Sequence, residues 1–316
     1  MKSARNWGIV AATLVGGCNR HQSALSPFGA EATGIRLIAL ILTIGAVLIL
    51  IAMALLYRRA VRAPEHSIDH RQGMRMVLWL GAIGPTILLA ALLLYALPAM
   101  RPRPVSPTDL VIRVEGEQFW WRVAYQRPGA EPLISANEIR VPVGRTVSFE
   151  LTAKDVIHSF WIPGLAGKMD MIPGRITLLP VRAEKAGRYR GVCAEFCGLS
   201  HALMAFDVIA MEPDAFDRWM AQDRRGRAAE SAGARLFAAH GCTACHAMAK
   251  PSIGPSLGDF HARGSLGAGT LTPTVDAVAA FIRSPQQAKP GARMPAYPQM
   301  RADEALTIAR WLRSAP

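Results

Sequence analysis

Two stretches without a single charged residue, 37–57 and 76–100, constrain this chain more than anything else in it; they are 21 and 25 residues long. At a rise of 1.5 Å per residue the shorter one makes a helix of about 32 Å, close to the thickness of a bilayer's hydrocarbon core. Each predicts a transmembrane helix, and together they predict a hairpin over residues 36–100. Pro85 falls inside the second run, where a membrane helix tolerates it and a soluble helix does not. The connecting loop carries Arg58, Arg59, Arg62, Arg71 and Arg75 against Glu65 and Asp69. That bias places the loop in the cytoplasm and everything beyond the second helix outside.

The 316 residues leave room for two soluble domains besides the hairpin, and the formal charge of +13 tests what they could bind. Residues 1–104 hold 11 basic and 3 acidic groups, 105–212 hold 12 of each, 213–227 hold 4 and 3, and 228–316 hold 9 and 5. Most of the excess therefore flanks the membrane segments, and no folded domain carries the basic face that nucleic-acid binding needs. Lys2 and Arg5, an apolar run over 7–15 and then Gly16-Gly17-Cys18 predict an export signal over residues 1–18. The small residues before Cys18 resemble a lipoprotein cleavage site, which would make Cys18 a lipid-bearing N-terminus; the alternative is an uncleaved signal with an ordinary cysteine.

After an extended Arg-Pro-Arg-Pro linker at 101–104, apolar and polar residues alternate over 110–115, 119–125, 138–142, 146–151, 156–162, 175–181, 188–192 and 203–209. About eight short strands at this spacing predict a sandwich or barrel over residues 105–212. Within it, Cys193 and Cys197 lie four apart, His201 four further on and Met204 three beyond; His158 precedes Cys193 by 35 positions. Thiolate, thioether and imidazole without carboxylates is a soft donor set. A disulfide, structural zinc and copper all satisfy the spacing, and the methionine tilts the set toward copper.

Residues 213–227 form a charged connector that predicts a helix. Beyond it, 231–240 predicts another helix leading into Cys242-Thr243-Ala244-Cys245-His246. C-x-x-C-H is the c-type heme attachment motif: two thiols add to the vinyl groups and the adjacent His246 is turned beneath the iron. The sixth ligand is sought further on, and Met294 stands 48 positions after His246 in a loop rich in proline and glycine, ahead of Met300, His261 and Met248. Methionine there raises the potential relative to a second histidine. Leu306, Ile308, Ala309 and Leu312 repeat at helical spacing over 302–314 and predict a C-terminal helix packed on the first one.

The run Val156-x-His158, then Cys193-x3-Cys197-x3-His201-x2-Met204, resembles the dinuclear copper A signature of cytochrome c oxidase subunit II. That resemblance spans residues 36–316 and implies a membrane-anchored multidomain chain: a two-helix transmembrane hairpin, a cupredoxin-like β-barrel and an all-α class I cytochrome c domain over 228–316. It implies that Cys193 and Cys197 bridge two coppers, that His158 and His201 each terminate one, and that Met204 and the Glu195 carbonyl are weak ligands. Cys242, Cys245, His246 and Met294 would hold a covalent heme c. Phe119, Trp120 and Trp121 resemble the aromatic patch that receives electrons from a soluble cytochrome c, although Phe119 stands where the family usually has tryptophan. The side chains of Glu195 and Asp170 resemble the segment that shares magnesium with subunit I.

The function so implied is electron entry into a bacterial heme-copper oxidase of the inner membrane. Its soluble domains are periplasmic, and its partners are subunit I, other oxidase subunits and cytochrome c or another periplasmic donor. The complex would reduce oxygen to water with coupled proton translocation. The two apolar runs contain no histidine, so the oxygen site belongs to a partner. The acidic residue many relatives carry near the start of the second helix is missing between Arg75 and Arg101. A nitric oxide reductase could use the same electron-entry module. A tethered copper carrier would leave the heme motif unexplained.

Overall fold

The computed structural model describes residues 22–64, 67–100, 106, 110–127, 129–221, 231–248, 250 and 252–314. The export signal with Cys18, the 101–104 linker and the end of the 213–227 connector lie outside them. Two compact units result, Thr33–Pro104 and a second that combines Met1–Ala32 with Val105–Pro316.

Helices α1 (Ala30–Arg62) and α2 (His70–Ala96) are each long and apolar enough to cross a membrane. Most of their described apolar side chains face outward: Leu50, Leu80 and Leu94 are all more than half exposed. Asp69 starts α2 by accepting the Arg71 amide, so the helix begins six residues before the apolar run and takes in His70. The uncharged run 76–100 itself holds no histidine. Over Val77–Ile83 the helix widens to π geometry, two positions before Pro85.

In the second unit, ten strands among the described residues form two five-stranded sheets. One runs β3 (Ala130–Ala136), β2 (Trp120–Arg127), β1 (Leu110–Glu117), β5 (Thr146–Ala153) and β8 (Thr177–Arg182). The other runs β4 (Glu138–Pro142), β10 (Ala205–Met211), β9 (Gly187–Cys193), β6 (His158–Trp161) and β7 (Met169–Met171). Eight were expected. The additional two are edge strands: β3 contains Pro132, which an edge accommodates, and β7 is three residues long, too short to show alternation. Between the sheets Trp121, Phe149, Phe160 and Phe206 are fully buried, with Phe160 and Phe206 stacked at 4.5 Å. Each such ring contributes roughly 1.5–3 kcal/mol by burial. Helix α3 (Pro213–Ala221) adds Phe216 and Trp219 to this core.

The C-terminal segment is helical. Ser231 caps α4 (Ala232–Ala239) through the Ala234 amide, and Thr274 caps α5 (Val275–Arg283) through Ala277, each hydroxyl satisfying an amide that the first turn leaves open. The short α6 (Pro285–Ala288) follows. Helix α7 (Ala302–Arg313) turns Ala305, Ile308, Ala309 and Leu312 inward and packs on α4, where the Trp311 and Phe237 rings lie 5.3 Å apart.

Candidate metal centres

Strand register assembles the first site. Antiparallel β6 and β9 set Phe160 opposite Cys193, so His158, two residues back on the same face, reaches the end of β9. The Cys193 amide donates to the Met204 carbonyl at 2.9 Å and the Ala194 amide to the Ser159 carbonyl at 2.9 Å. These bonds pin both ends of the loop to the sheet. Gly116 on β1 makes room: a methyl there would stand 2.9 Å from His158 Cδ2.

The five predicted side chains come together. Cys193 Sγ lies 3.8 Å from His158 Nδ1 and 3.8 Å from Cys197 Sγ. Cys197 Sγ lies 3.7 Å from both His201 Nδ1 and Met204 Sδ. The Glu195 carbonyl oxygen is 3.2 Å from Cys193 Sγ. Both cysteines are free and buried, and their separation is nearly twice a disulfide bond. It is short enough for one ion at a thiolate distance of about 2.3 Å to touch both sulfurs, from either side of the line joining them. Two nitrogens, two thiolates and a thioether fit copper better than zinc, which rarely takes thioether. The donor set therefore fits a copper pair.

Two residues that sequence reasoning passed over hold this arrangement. Asp155 Oδ1 bonds His158 Nε2 at 2.9 Å and accepts the Val156 amide at 2.8 Å. Its Oδ2 accepts the Gln118 amide at 2.8 Å and Arg293 Nη2 at 3.1 Å. The Gln118 side chain donates to the Cys197 carbonyl at 2.6 Å. Burial alone would raise the Asp155 pKa, but the bonds from Gln118, His158 and Val156 outweigh it and hold it below the usual carboxylate value. Burial likewise opposes protonation of His158, and its contacts with Cys193 and Asp155 reverse that. The only sequence signal was an acidic residue three positions before the histidine. Because such partners orient a ligand and fix its tautomer, Asp155→Ala should weaken copper retention by about 10–100-fold in chelator competition, with the heme spectrum unchanged.

The second site turns on the 3-10 turn Cys242–Ala244, which lets the His246 amide reach the Cys242 carbonyl at 2.9 Å. His246 Nδ1 bonds the Pro255 carbonyl at 2.9 Å, leaving Nε2 as the free donor atom. Burial pushes the His246 pKa down, toward the neutral form a ligand needs. Cys242 and Cys245 are free. Met294 is half-buried against the same core as Cys242, whereas Met300 is fully packed inside it. The buried Nε of Arg283 has no hydrogen-bond partner, a donor suited to a carboxylate. These features fit a covalently held heme.

The remaining predicted residues are placed differently. Trp121 is core, its ring 5.0 Å from Phe206. Phe119 is 6% exposed, and Trp120 is half-buried beneath the Arg122 guanidinium at 4.7 Å. The three rings thus offer no open aromatic patch. Asp170 and Glu195 both reach the Lys168 ammonium, at 3.5 and 3.8 Å.

Comparison with known proteins meets this geometry. The family model for the periplasmic domain of cytochrome c oxidase subunit II matches residues 126–211, and that for cytochrome c matches 230–316. The chain is 38% identical over 221 residues to cytochrome c oxidase subunit 2 of Alkalihalophilus pseudofirmus, an alignment covering 66% of this chain and 62% of the relative. It thus spans less than two thirds of that relative's length. Against cytochrome c oxidase subunit 2 of Bacillus subtilis it is 32% identical over 253 residues, covering 72% of this chain and 70% of the relative. The crystal structure of the periplasmic domain of subunit II of cytochrome oxidase (CoxB) of Bradyrhizobium japonicum is 33% identical, covers 37% of this chain and 94% of its own, and superposes with a TM-score of 0.33. With both soluble segments matched and a relative aligned over most of its length, this chain belongs to the cytochrome c oxidase subunit 2 family, in a form that also carries a cytochrome c domain.

Proposed function

We propose that this chain is the electron-entry subunit II of a bacterial heme-copper cytochrome c oxidase, held in the inner membrane by residues 36–100 with residues 105–212 and 228–316 in the periplasm. Cys193 and Cys197 would bridge two coppers, with His158, His201, Met204 and the Glu195 carbonyl completing their coordination. Cys242 and Cys245 would carry heme c between His246 and Met294. When bound, these groups supply one-electron oxidation and reduction, which serves transfer from cytochrome c or another periplasmic donor toward subunit I, the partner that reduces oxygen to water with coupled proton translocation.

The chain's own part is to hold donors still. His158 is anchored by β6 and Asp155, Cys193 by β9, and the Cys197 carbonyl by Gln118, so a change of metal charge meets ligands already in position. Cys193, Cys197, His158 and Met204 are all buried, which keeps water out of the donor set. The observation that carries the reading is the unbroken series of 3.7–3.8 Å contacts from His158 through both cysteines to His201 and Met204.

The test is electron paramagnetic resonance and absorption spectroscopy of the full chain, expressed in membranes with copper. A multi-line mixed-valence copper signal beside a covalent heme c spectrum is expected. A mononuclear copper signal, or none, beside intact heme would sink the reading.

A further inference from the structure

Residues 289–293, which lead into Met294, lie against the loop that carries the copper ligands. Lys289 is 4% exposed, and its ammonium donates to the Leu203 carbonyl at 3.1 Å and to the Gly267 carbonyl at 2.7 Å. A buried ammonium is tolerated only where its donors are taken, and here one acceptor belongs to each domain. Ser200 Oγ donates to the Pro290 carbonyl at 2.6 Å. Gly291 follows with its backbone on the aromatic segment: a methyl there would stand 3.1 Å from Phe119 Cε2. Arg293 closes the stretch with Nη1 on Glu117 at 3.3 Å and Nη2 on Asp155 at 3.1 Å. Glu117 is 3% exposed. The other oxygen of Asp155 holds His158, so one line of contacts from Met294 to a copper-site imidazole passes through Arg293 and Asp155.

We infer that residues 289–293 are a clamp in which Lys289 and Arg293 are positioning residues, fixing the methionine loop of the heme domain on the copper loop and closing the Phe119 face to a separate protein donor. The inference rests on the two-cofactor reading above. A fixed approach matters because small displacements at a reacting pair are expensive in rate. The two anchors differ in a measurable way. Lys289 is buried and insulated from salt, whereas the Arg293 side chain is 56% exposed, so its ion pairs are screened by added electrolyte.

The test uses the full chain in detergent. Hydrogen–deuterium exchange at the Ala205 amide, which donates across the same interface to the Ala268 carbonyl at 3.0 Å, reads docking with or without cofactors. Flash-initiated electron transfer from heme to copper reads its consequence. Lys289→Gln and Arg293→Gln should each speed exchange and slow internal transfer by about tenfold or more. Arg293→Gln should also abolish the salt dependence of the transfer, and Arg293→Lys should recover part of it. Unchanged exchange and unchanged transfer in the double variant, with both cofactor spectra intact, would overturn the clamp. Absence of the copper or heme spectrum from the unaltered chain would overturn the function reading instead, and the exchange data would still decide the docking.

Discussion

Cys197→Ser should erase the multi-line copper signal completely while leaving the heme spectrum as it was. Cys197 is the hub of its site, with Cys193, His201 and Met204 all 3.7–3.8 Å from its sulfur. Serine oxygen is a harder and more weakly acidic donor, so on the proposed assignment the second thiolate that would hold the two soft ions is lost. The pair's protons point the same way. Hydrogen bonding with Cys197, helped by His158, overrides burial and holds the Cys193 thiol well below its ordinary value, while the same bond and burial push Cys197 up. Loading the pair with metal must displace a proton from it, so copper uptake should weaken as the pH falls. Persistence of a dinuclear signal in Cys197→Ser, read by electron paramagnetic resonance, would contradict the bridging role.

The second large effect is at the other end of the soluble unit. Cys242→Ala combined with Cys245→Ala should abolish covalent heme, read as loss of heme staining on a denaturing gel, while the copper signal persists. His246→Ala should behave otherwise: both thioether bonds still form, and the absorption spectrum changes because the proximal nitrogen is gone. The two outcomes separate attachment from ligation, which the turn at 242–246 brings within one short segment. Covalent heme in the double alanine variant would break the assignment.

What could be read from the chain follows from how local each signal is. The two long apolar helices were legible because 21 and 25 uncharged residues have few other folds, and α7 because its apolar positions repeat at helical spacing. His158 was found by its motif, but the reason it meets Cys193 is the β6–β9 register, which no local pattern encodes. Strands β3 and β7 were missed where a proline and a three-residue length hide the alternation. Gln118 acts through a bond to Cys197, far along the chain, and Asp155, although only three residues from His158, is held by Gln118 and Arg293 from distant segments, so both looked like ordinary polar residues. For the aromatic segment the sequence could not separate core rings from surface rings, and the fold buries Phe119 and Trp121.

The four donors gathered on Asp155 also decide how the copper site weathers acid. A carboxylate whose pKa is lowered on folding contributes its full stabilisation above the unfolded value near 3.9 and loses it only as the pH drops through the lower folded value. With Gln118, Val156, His158 and Arg293 all on its two oxygens, the aspartate keeps its charge to a lower pH than an unpartnered carboxylate would. The orientation of His158 is therefore held over the same range of acidity.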